Sequence, residues 1–296
     1  MEGNSLDTDA SDPSSTPEEE KPLKRVTIFG FSANPPTGDS GHGGIVKYLI
    51  STGEYDEVWL LPVYKHIFTS KSNLESFEHR FAMCQLFAER LSTPQVKVKV
   101  QDFERVVYNS CSASRTGLER RMSRDGVAEM RVGTIDIIHH IHRNHQDVSL
   151  ISINLGQDTF HDLKAGLWKC SEEIMSLVEV NVFRRSAAGN CSREESLESL
   201  ACFPQAKKIT HILVPGLGQT SSTSIRSSTL PVSVFSSYKQ VVAAHRRSLP
   251  LYEEIYDYIM TNRLYFFSPE TSQYLRWRYW LQDGLTSRPS PSSSSP

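Results

Sequence analysis

The chain has 296 residues, of which 38% are hydrophobic and 22% are charged, and its formal net charge is −2. This composition supplies a large apolar core, excludes collagen-like, coiled-coil and wholly disordered chains, and gives no indication of a nucleic-acid partner. No run approaches eighteen consecutive apolar residues, and the acidic N-terminus lacks the features of a secretory signal. We therefore expect no membrane partner and a cytoplasmic location, with the nucleus as the alternative.

The two ends of the chain differ in composition from its middle. Residues 1–22 contain seven acidic residues and a single lysine, and residues 284–296 contain six serines and three prolines. Segments of this kind cannot bury enough apolar surface to offset the entropy of ordering them. The sequence thus predicts two disordered tails around one globular domain at 23–283.

Within this domain, short apolar runs alternate with helical patterns. The runs that predict strands are 25–30, 58–63, 96–103, 148–155, 178–183 and 209–215, and the patterns that predict helices include 42–52, 76–91 and 127–143. The alternation predicts a Rossmann-like, doubly wound α/β fold with a mostly parallel sheet and helices on both faces. The arginine-rich segment 104–126 interrupts it, and we interpret that segment as a surface excursion or as a lid over a polyphosphate.

The first predicted strand leads into a loop of small residues that ends at His42, where a helix begins. In an open α/β sheet, ligands bind at the carboxyl ends of the strands, and a helix start there offers backbone N–H groups to a phosphate. Gly30 and Gly41 allow a ligand or another backbone segment to approach closely. The loop contains neither the Gly-Lys-Ser/Thr of a Walker A motif nor the G-x-G-x-x-G of a dinucleotide fingerprint.

This loop resembles the first signature of the nucleotidylyltransferase superfamily, and within it that of the nicotinamide/nicotinate mononucleotide adenylyltransferases. That signature is a G-x-S/F-x-N/D-P turn followed by His/Thr-x-G-His. The residues that take those places are Gly30, Ser32, Asn34, Pro35, Thr37, Gly41 and His42. Two departures are visible: Phe31 stands where the family usually has a second glycine, and two additional residues separate Thr37 from Gly41.

A second motif, SSTSIR at 221–226, follows the last predicted strand. A Ser/Thr run that opens a helix offers hydroxyl and N–H groups to phosphate oxygens, and the arginine adds a fork of donors. The run is similar to the S-S/T-T-x-I/V-R motif of the same superfamily. The resemblance implies an ATP site that includes the residues Ser221, Ser222, Thr223 and Arg226.

Two further segments resemble the part of these enzymes that binds the mononucleotide. Residues 155–168 resemble a G-x-D…W block, which implies that Asp158 holds ribose hydroxyls and that Trp168 stacks on the pyridine ring. Residues 62–71 resemble the loop whose lysine or arginine meets the phosphate; Lys71 is our first choice, with Lys65 and His66 as alternates. The structural alternatives are a helix-capping aspartate, a core tryptophan and a solvated lysine.

The resemblance implies an adenylyltransferase that joins ATP to nicotinate or nicotinamide mononucleotide and releases pyrophosphate. His42 and Thr37 would act at the α-phosphate and Arg226 at the other phosphates, with Mg²⁺ as cofactor bridging the phosphate oxygens rather than occupying a metal site made by the protein. One alternative is a nucleotidylyltransferase acting on another phosphate, such as phosphopantetheine or phosphocholine. Another is a nucleotide-binding protein of this fold without catalytic activity. The sequence does not distinguish an amide from a carboxylate acceptor and does not indicate an oligomeric state.

Overall fold

A six-stranded sheet, in which every strand is parallel to its neighbours, forms the centre of the protein. The computed structural model describes residues 22–65, 74–114, 120–122, 128–130, 132–184, 203–217, 220–228 and 238–266. The sheet consists of β1 (Lys24–Phe31), β2 (Glu57–Pro62), β3 (Lys97–Val100), β6 (Val148–Gly156), β7 (Glu179–Arg184) and β8 (Lys208–Leu213). A separate antiparallel pair is formed by β4 (Arg120–Met122) and β5 (Ala128–Met130).

Helices connect most of these strands. Those of the described residues are α1 (His42–Ser51), α2 (Phe77–Leu91), α3 (Phe103–Ser114), α4 (Thr134–Asn144), α5 (Gln157–Lys164), α6 (Ser171–Leu177), α7 (Ser222–Arg226), α8 (Tyr238–Ser248) and α9 (Glu253–Asn262). None of these helices is long and apolar enough to cross a lipid bilayer.

The strand order places a ligand crevice at a defined point of the sheet. The order is β3-β2-β1-β6-β7-β8, so the chain moves outward from β1 in one direction and from β6 in the other. Where the direction reverses, the loops after two adjacent strands diverge and leave a crevice at their carboxyl ends. The crevice of this protein therefore lies between the end of β1 and the end of β6.

Two apolar clusters, one on each face, explain why the strands read as continuous apolar runs. On one face Phe29 and Phe31 pack in a cluster with residues of α1, α2 and α9. On the other face Val26 and Ile28 pack in a cluster with residues of α4, α5 and α6. Since successive side chains of a strand point to opposite faces, a strand covered by helices on both sides is apolar throughout. The predicted doubly wound fold is confirmed.

Buried polar side chains tie three of the strands together. Thr27 of β1 accepts hydrogen bonds from Ser152 and Asn154 of β6 at 2.7 and 2.6 Å. Asn181 of β7 donates to Asn154 at 3.1 Å and to the hydroxyl of Tyr55 at 3.0 Å. Because buried polar groups are costly without such partners, this network favours one register of the three strands. It thereby sets the relative positions of the strand ends that border the crevice.

The segment between β3 and β6 differs from the prediction. The run predicted as a strand over 96–103 is a strand only at Lys97–Val100, and α3 (Phe103–Ser114) begins at the last residue of that run and occupies the first part of the interval 104–126 that was treated as an excursion. The side chains of Phe103 and Val107, four residues apart, are buried, which is helical spacing that the many arginines obscured. The approach of these arginines to a phosphate stays a prediction that lies largely outside the described side chains.

The helix predicted over 127–143 begins later, at Thr134. The Asp136 carboxylate accepts a hydrogen bond from the N–H of Gly133 at 2.9 Å, which closes the first turn of the helix at that point. Residues Ala128–Met130, which the prediction included in the helix, form β5 instead. The prediction of the two tails lies almost entirely outside the described residues.

Candidate active site

The loop after β1, residues 32–41, holds the imidazole of His42 by its Nδ1 edge. The N–H of Thr37 donates to Nδ1 at 3.1 Å, and the Thr37 hydroxyl lies 3.0 Å from the same nitrogen. The Thr37 Oγ1 also accepts from the N–H of His42 at 2.8 Å, so it satisfies one of the N–H groups at the start of α1. A nitrogen that accepts from a backbone N–H carries no proton, so the neutral ring carries its proton on Nε2.

Gly41 is required by this arrangement. A Cβ atom at position 41 would collide with the Oγ1 of Thr37, the atom that bonds the first N–H of α1. Any larger residue would therefore push Thr37 away from His42. The sequence predicted Gly41 as a site residue because of ligand approach, and the structure adds a packing reason for the same glycine.

Helix α7 is fastened to the same loop, although 180 or more residues separate the two segments. Arg226 donates from Nη1 to the carbonyl oxygen of Asn34 at 2.7 Å, and Ser222 donates to the carbonyl oxygen of Pro35 at 2.8 Å. The hydroxyls of Ser40 and Thr220 lie 2.9 Å apart. The two motifs that the sequence predicted to share a phosphate site are thus brought together by the fold.

The hydroxyls of the second motif divide into two groups. Ser221 caps α7, because its side chain accepts from the N–H of Ser224 at 3.1 Å. Thr223 is exposed and lies 3.2 Å from Nη2 of Arg226, with which it forms a hydrogen bond. Thr223 is exposed and Arg226 is half-buried, so a ligand in solution can reach this pair.

The Asn34 side chain is buried beneath the loop after β1 and stabilises that loop. Its side chain is 1% exposed, and its Oδ1 accepts from the N–H of Glu75 at 3.1 Å and from the hydroxyl of Tyr265 at 2.7 Å. These bonds join the loop after β1 to the segment before α2 and to the chain after α9. The predicted contact of Asn34 with ATP stays a prediction; the observed contacts make its side chain an anchor of the loop.

Open space lies beside the strand ends at the crevice. Gly30 is exposed near the end of β1 and Gly156 ends β6, and a Cβ added at either position would have no atom within 4 Å. These strands are neighbours at the point where the chain direction reverses. A ligand can therefore approach the backbone of both strands, as expected for a nucleotide at such a crevice.

A comparison with known proteins shows the family. A protein of Myxococcus xanthus named "Probable nicotinate-nucleotide adenylyltransferase" is 30% identical to this chain over 166 residues, which make up 56% of this chain and 71% of that protein. This chain belongs to the nicotinate-nucleotide adenylyltransferase family. The predicted family is confirmed, and the protein is a nucleotidyltransferase.

Solved structures share the fold of this adenylyltransferase. Two structures of Plasmodium falciparum nicotinic acid mononucleotide adenylyltransferase, one complexed with APC and one with NaAD, have TM-scores of 0.54 and 0.53 at 17% identity. Each comparison covers 83% of this chain and 98% of the other. No family model matches the chain.

The residues predicted to bind the mononucleotide are spread along the sheet edge. Asp158 is exposed in the first turn of α5, directly after β6, whereas Trp168 is half-buried against the apolar cluster that includes α4 and α6. Lys65 donates from Nζ to the hydroxyl of Tyr108 at 2.7 Å. Lys71 and His66 lie outside the described residues. Only Asp158 among the described candidates follows a strand that borders the crevice.

Arg80 is a site-supporting residue that the sequence analysis missed. Its guanidinium is buried and donates to the carbonyl oxygens of Ser32 at 2.9 Å, Val63 at 2.6 Å and Glu75 at 2.9 Å. It therefore ties the loops after β1 and β2 to the start of α2. The available signal was its position: Arg80 lies in the same helical stripe as Phe77 and Cys84, which are buried.

Glu104 of α3 lies next to the predicted mononucleotide loop. Its carboxylate accepts from the N–H of Lys65 at 3.4 Å. Burial raises the pKa of the Glu104 carboxyl to about 7, and the hydrogen bonds from the backbone of Tyr64 and Lys65 only partly oppose this rise. Hence the folded protein binds the Glu104 proton more tightly than the unfolded chain does.

The free energy of unfolding of the wild-type protein should decrease as pH rises from about 4.5 to 7, because of Glu104. We expect Glu104→Gln to abolish this decrease. In this window the unfolded carboxyl loses its proton while the folded carboxyl keeps it, which favours unfolding; below the window both states are protonated. The variant should gain on the order of 2 kcal/mol over the wild type between pH 4.5 and pH 8. Urea denaturation at both pH values measures this difference. Glu89→Gln, at an exposed position of α2, is the control, and parallel pH profiles of wild type and E104Q would contradict the prediction.

Proposed function

We propose that this adenylyltransferase binds the triphosphate of ATP between His42 and Arg226 and transfers its adenylyl group to the phosphate of a pyridine mononucleotide. The observation that supports this most is the attachment of both side chains to one loop: His42 through Thr37, and Arg226 through Asn34. The product is the dinucleotide of NAD biosynthesis. The names of the relatives favour nicotinate mononucleotide as the acceptor.

The acceptor phosphate itself is the nucleophile. One of its oxygens forms a bond to the α-phosphorus of ATP, and the bond from that phosphorus to the bridging oxygen of the β-phosphate breaks. The bonding electrons leave with pyrophosphate. Because the nucleophile is already an anion, the protein needs no covalent intermediate and no strong base; alignment and charge stabilisation supply the rate enhancement.

His42 stabilises the charge at the α-phosphate. With Nδ1 held by Thr37, the neutral imidazole presents an Nε2–H donor from the opposite edge of the ring. A preorganised donor of this kind acts most strongly where charge increases in the transition state. Thr37 acts through His42, since its contacts with the ring set the position of the proton.

Arg226 and Thr223 hold the β- and γ-phosphates. The guanidinium donates hydrogen bonds from Nη1 to the Asn34 carbonyl oxygen and from Nη2 to the Thr223 hydroxyl, which orients the group beside the loop. Its other N–H groups bind phosphate oxygens. Ser222, bound to Pro35, and Ser221, which caps α7, set the position of the helix. The backbone of Gly30, Ser32 and Gly41 borders the nucleotide.

Residues that follow β6, across the crevice from His42, and lysines that follow β2 in the sequence hold the mononucleotide. Asp158 is exposed beside the end of β6 and accepts ribose hydroxyls as a carboxylate. Trp168 stacks on the pyridine ring with the part of its side chain that the core leaves exposed. Lys71, or Lys65 on leaving Tyr108, pairs with the acceptor phosphate.

Mg²⁺ enters with ATP as part of the substrate. Among the described residues there is no group of three or more His, Cys, Asp or Glu side chains placed to hold a metal ion. Phosphate oxygens and water would make up its coordination shell, as is usual for Mg²⁺ bound to nucleotides. The ion supplies charge neutralisation on the phosphates.

The function is tested by an acceptor panel. Purified full-length protein with ATP and Mg²⁺ is offered nicotinate mononucleotide, nicotinamide mononucleotide, phosphopantetheine and phosphocholine, and pyrophosphate release is measured. We expect release with the pyridine mononucleotides and the higher kcat/KM with nicotinate mononucleotide. Release with only another acceptor would support a different nucleotidylyltransferase, and ATP binding without release from any acceptor would support a non-catalytic protein.

A further inference from the structure

Two aromatic rings of β1 lie against the imidazole of His42. The ring centroid of Phe31 is 4.8 Å from that of His42, with an angle of 54° between the planes. Phe29 is more distant, at 5.8 Å. The imidazole is thus held at its Nδ1 edge by Thr37 and contacted on its side by the phenyl ring of Phe31.

Phe31 has little freedom to move. It is the last residue of β1 and is 8% exposed, and its ring stacks on that of Phe29 at 4.9 Å with the planes only 8° apart. Phe87 of α2 approaches it at 6.5 Å. The carbonyl oxygen of Phe31 accepts from the N–H of Val63 at 3.1 Å. A ring fixed by its own strand and by the stacked ring of Phe29 is a rigid surface for the imidazole.

The direction of the Nε2–H donor depends on the tilt of the imidazole against this surface. The last side-chain torsion of histidine is broad, so a hydrogen bond at Nδ1 fixes one edge of the ring but not its tilt. The tilt decides where the Nε2–H on the other edge points. Donors must meet the oxygen of the transition state closely, and a displacement of about 1 Å can lower a rate by about 10²-fold.

We propose that Phe31 is a positioning residue for His42: its ring sets the tilt of the imidazole and with it the direction of the Nε2–H bond. The proposal rests on the catalytic role proposed for His42. Phe31 touches no substrate in this mechanism and acts only through the histidine. A substitution of Phe31 should therefore change kcat only when His42 is present.

Phe31→Leu tests the proposal, because leucine keeps an apolar side chain at the buried position and removes the ring. We expect kcat to fall by about 10-fold while KM for ATP stays within about twofold, since the tilt of a transition-state donor affects turnover more than binding. Phe87→Leu is the matched control: it removes a buried ring from the same cluster, a ring that contacts Phe31 and Tyr252. Its kcat should stay within about twofold of wild type, with a comparable loss of stability in denaturation.

The double variant Phe31→Leu/His42→Ala separates positioning from general loosening of the core. If Phe31 acts through His42, the double variant has the same kcat as His42→Ala alone. A further tenfold decrease in the double variant, or equal losses of kcat in F31L and F87L, would overturn the proposal.

The NMR signals of the His42 ring, assigned by their loss in H42A, give a readout that does not depend on activity. The NOEs between the His42 ring protons and the Thr37 side chain should change in F31L and stay the same in F87L, because they depend on the tilt of the imidazole and not on the ring current of Phe31. Unchanged NOEs in F31L would refute the positioning role. Should H42A retain wild-type turnover, the proposed role of His42 fails, and the NMR comparison alone then decides whether Phe31 orients the ring.

Discussion

Replacement of His42 by alanine is expected to lower kcat by about 10²–10³-fold and to leave KM for ATP within a few-fold of wild type. The reason is that an Nε2–H donor at the α-phosphate interacts more strongly with the transition state than with bound ATP. The backbone N–H groups at the start of α1 and the residues of α7 are retained in the variant. Steady-state kinetics with nicotinate mononucleotide, at saturating Mg²⁺, measures both parameters.

His142→Ala is the control for this experiment, since His142 is exposed on α4, on the far side of the sheet from α1. It should retain wild-type kcat. If H42A turned over as fast as H142A, the imidazole would have no role in the chemistry, and the loop backbone alone would have to account for catalysis.

Arg226→Ala is expected to weaken the binding of MgATP by about 10- to 100-fold, because hydrogen bonds from a guanidinium to phosphate contribute on the order of 1.5–3 kcal/mol. The turnover should fall as well, since the guanidinium also binds the carbonyl oxygen of Asn34 in the loop that carries Thr37 and His42. Isothermal titration with MgATP measures the first effect and steady-state kinetics the second.

Arg226→Lys makes this prediction specific. Lysine keeps the positive charge but replaces the planar fork of five N–H donors by three donors on one nitrogen, so it should recover only part of the affinity. Arg143→Ala, at an exposed position of α4, controls for a general change of charge. An ATP affinity in R226A equal to that of R143A would remove Arg226 from the nucleotide site.

The strands were predictable from the sequence because they are covered on both faces. All six residues of β2 are buried, so the strand appears in the sequence as a continuous apolar run that is easily recognised. The predicted limit of one helix was wrong although a local contact decides it. Helix α4 begins at Thr134 because Asp136 turns back to the N–H of Gly133, and the apolar residues preceding that point offered an equally good helical pattern.

The residues proposed to act on the phosphates were also predicted from sequence, through motifs that need particular atoms at a helix start. Their supports were not. Arg80 lies in an apolar helical stripe and Tyr265 belongs to neither motif, yet their side chains bond Ser32 and Asn34 in the loop that forms the candidate site. Residues that support a site are recognised by their contacts. Arg80 lies 48 residues from Ser32 along the chain, and Tyr265 lies 231 residues from Asn34.

Local chemistry along the sequence thus determined the alternation of strands and helices, the two phosphate motifs and the family that they resemble. The tertiary structure decided three things: that Arg226 reaches the loop of His42, that Thr37 leaves the proton of the neutral imidazole on Nε2, and that Phe31 packs against the ring. For Arg226 the physical reason is distance along the chain, because 192 residues separate it from Asn34 and only the folded sheet brings them together. Thr37 and Phe31 are close to His42 in sequence, but the loop between β1 and α1 has no regular period from which the meeting of these side chains could be predicted.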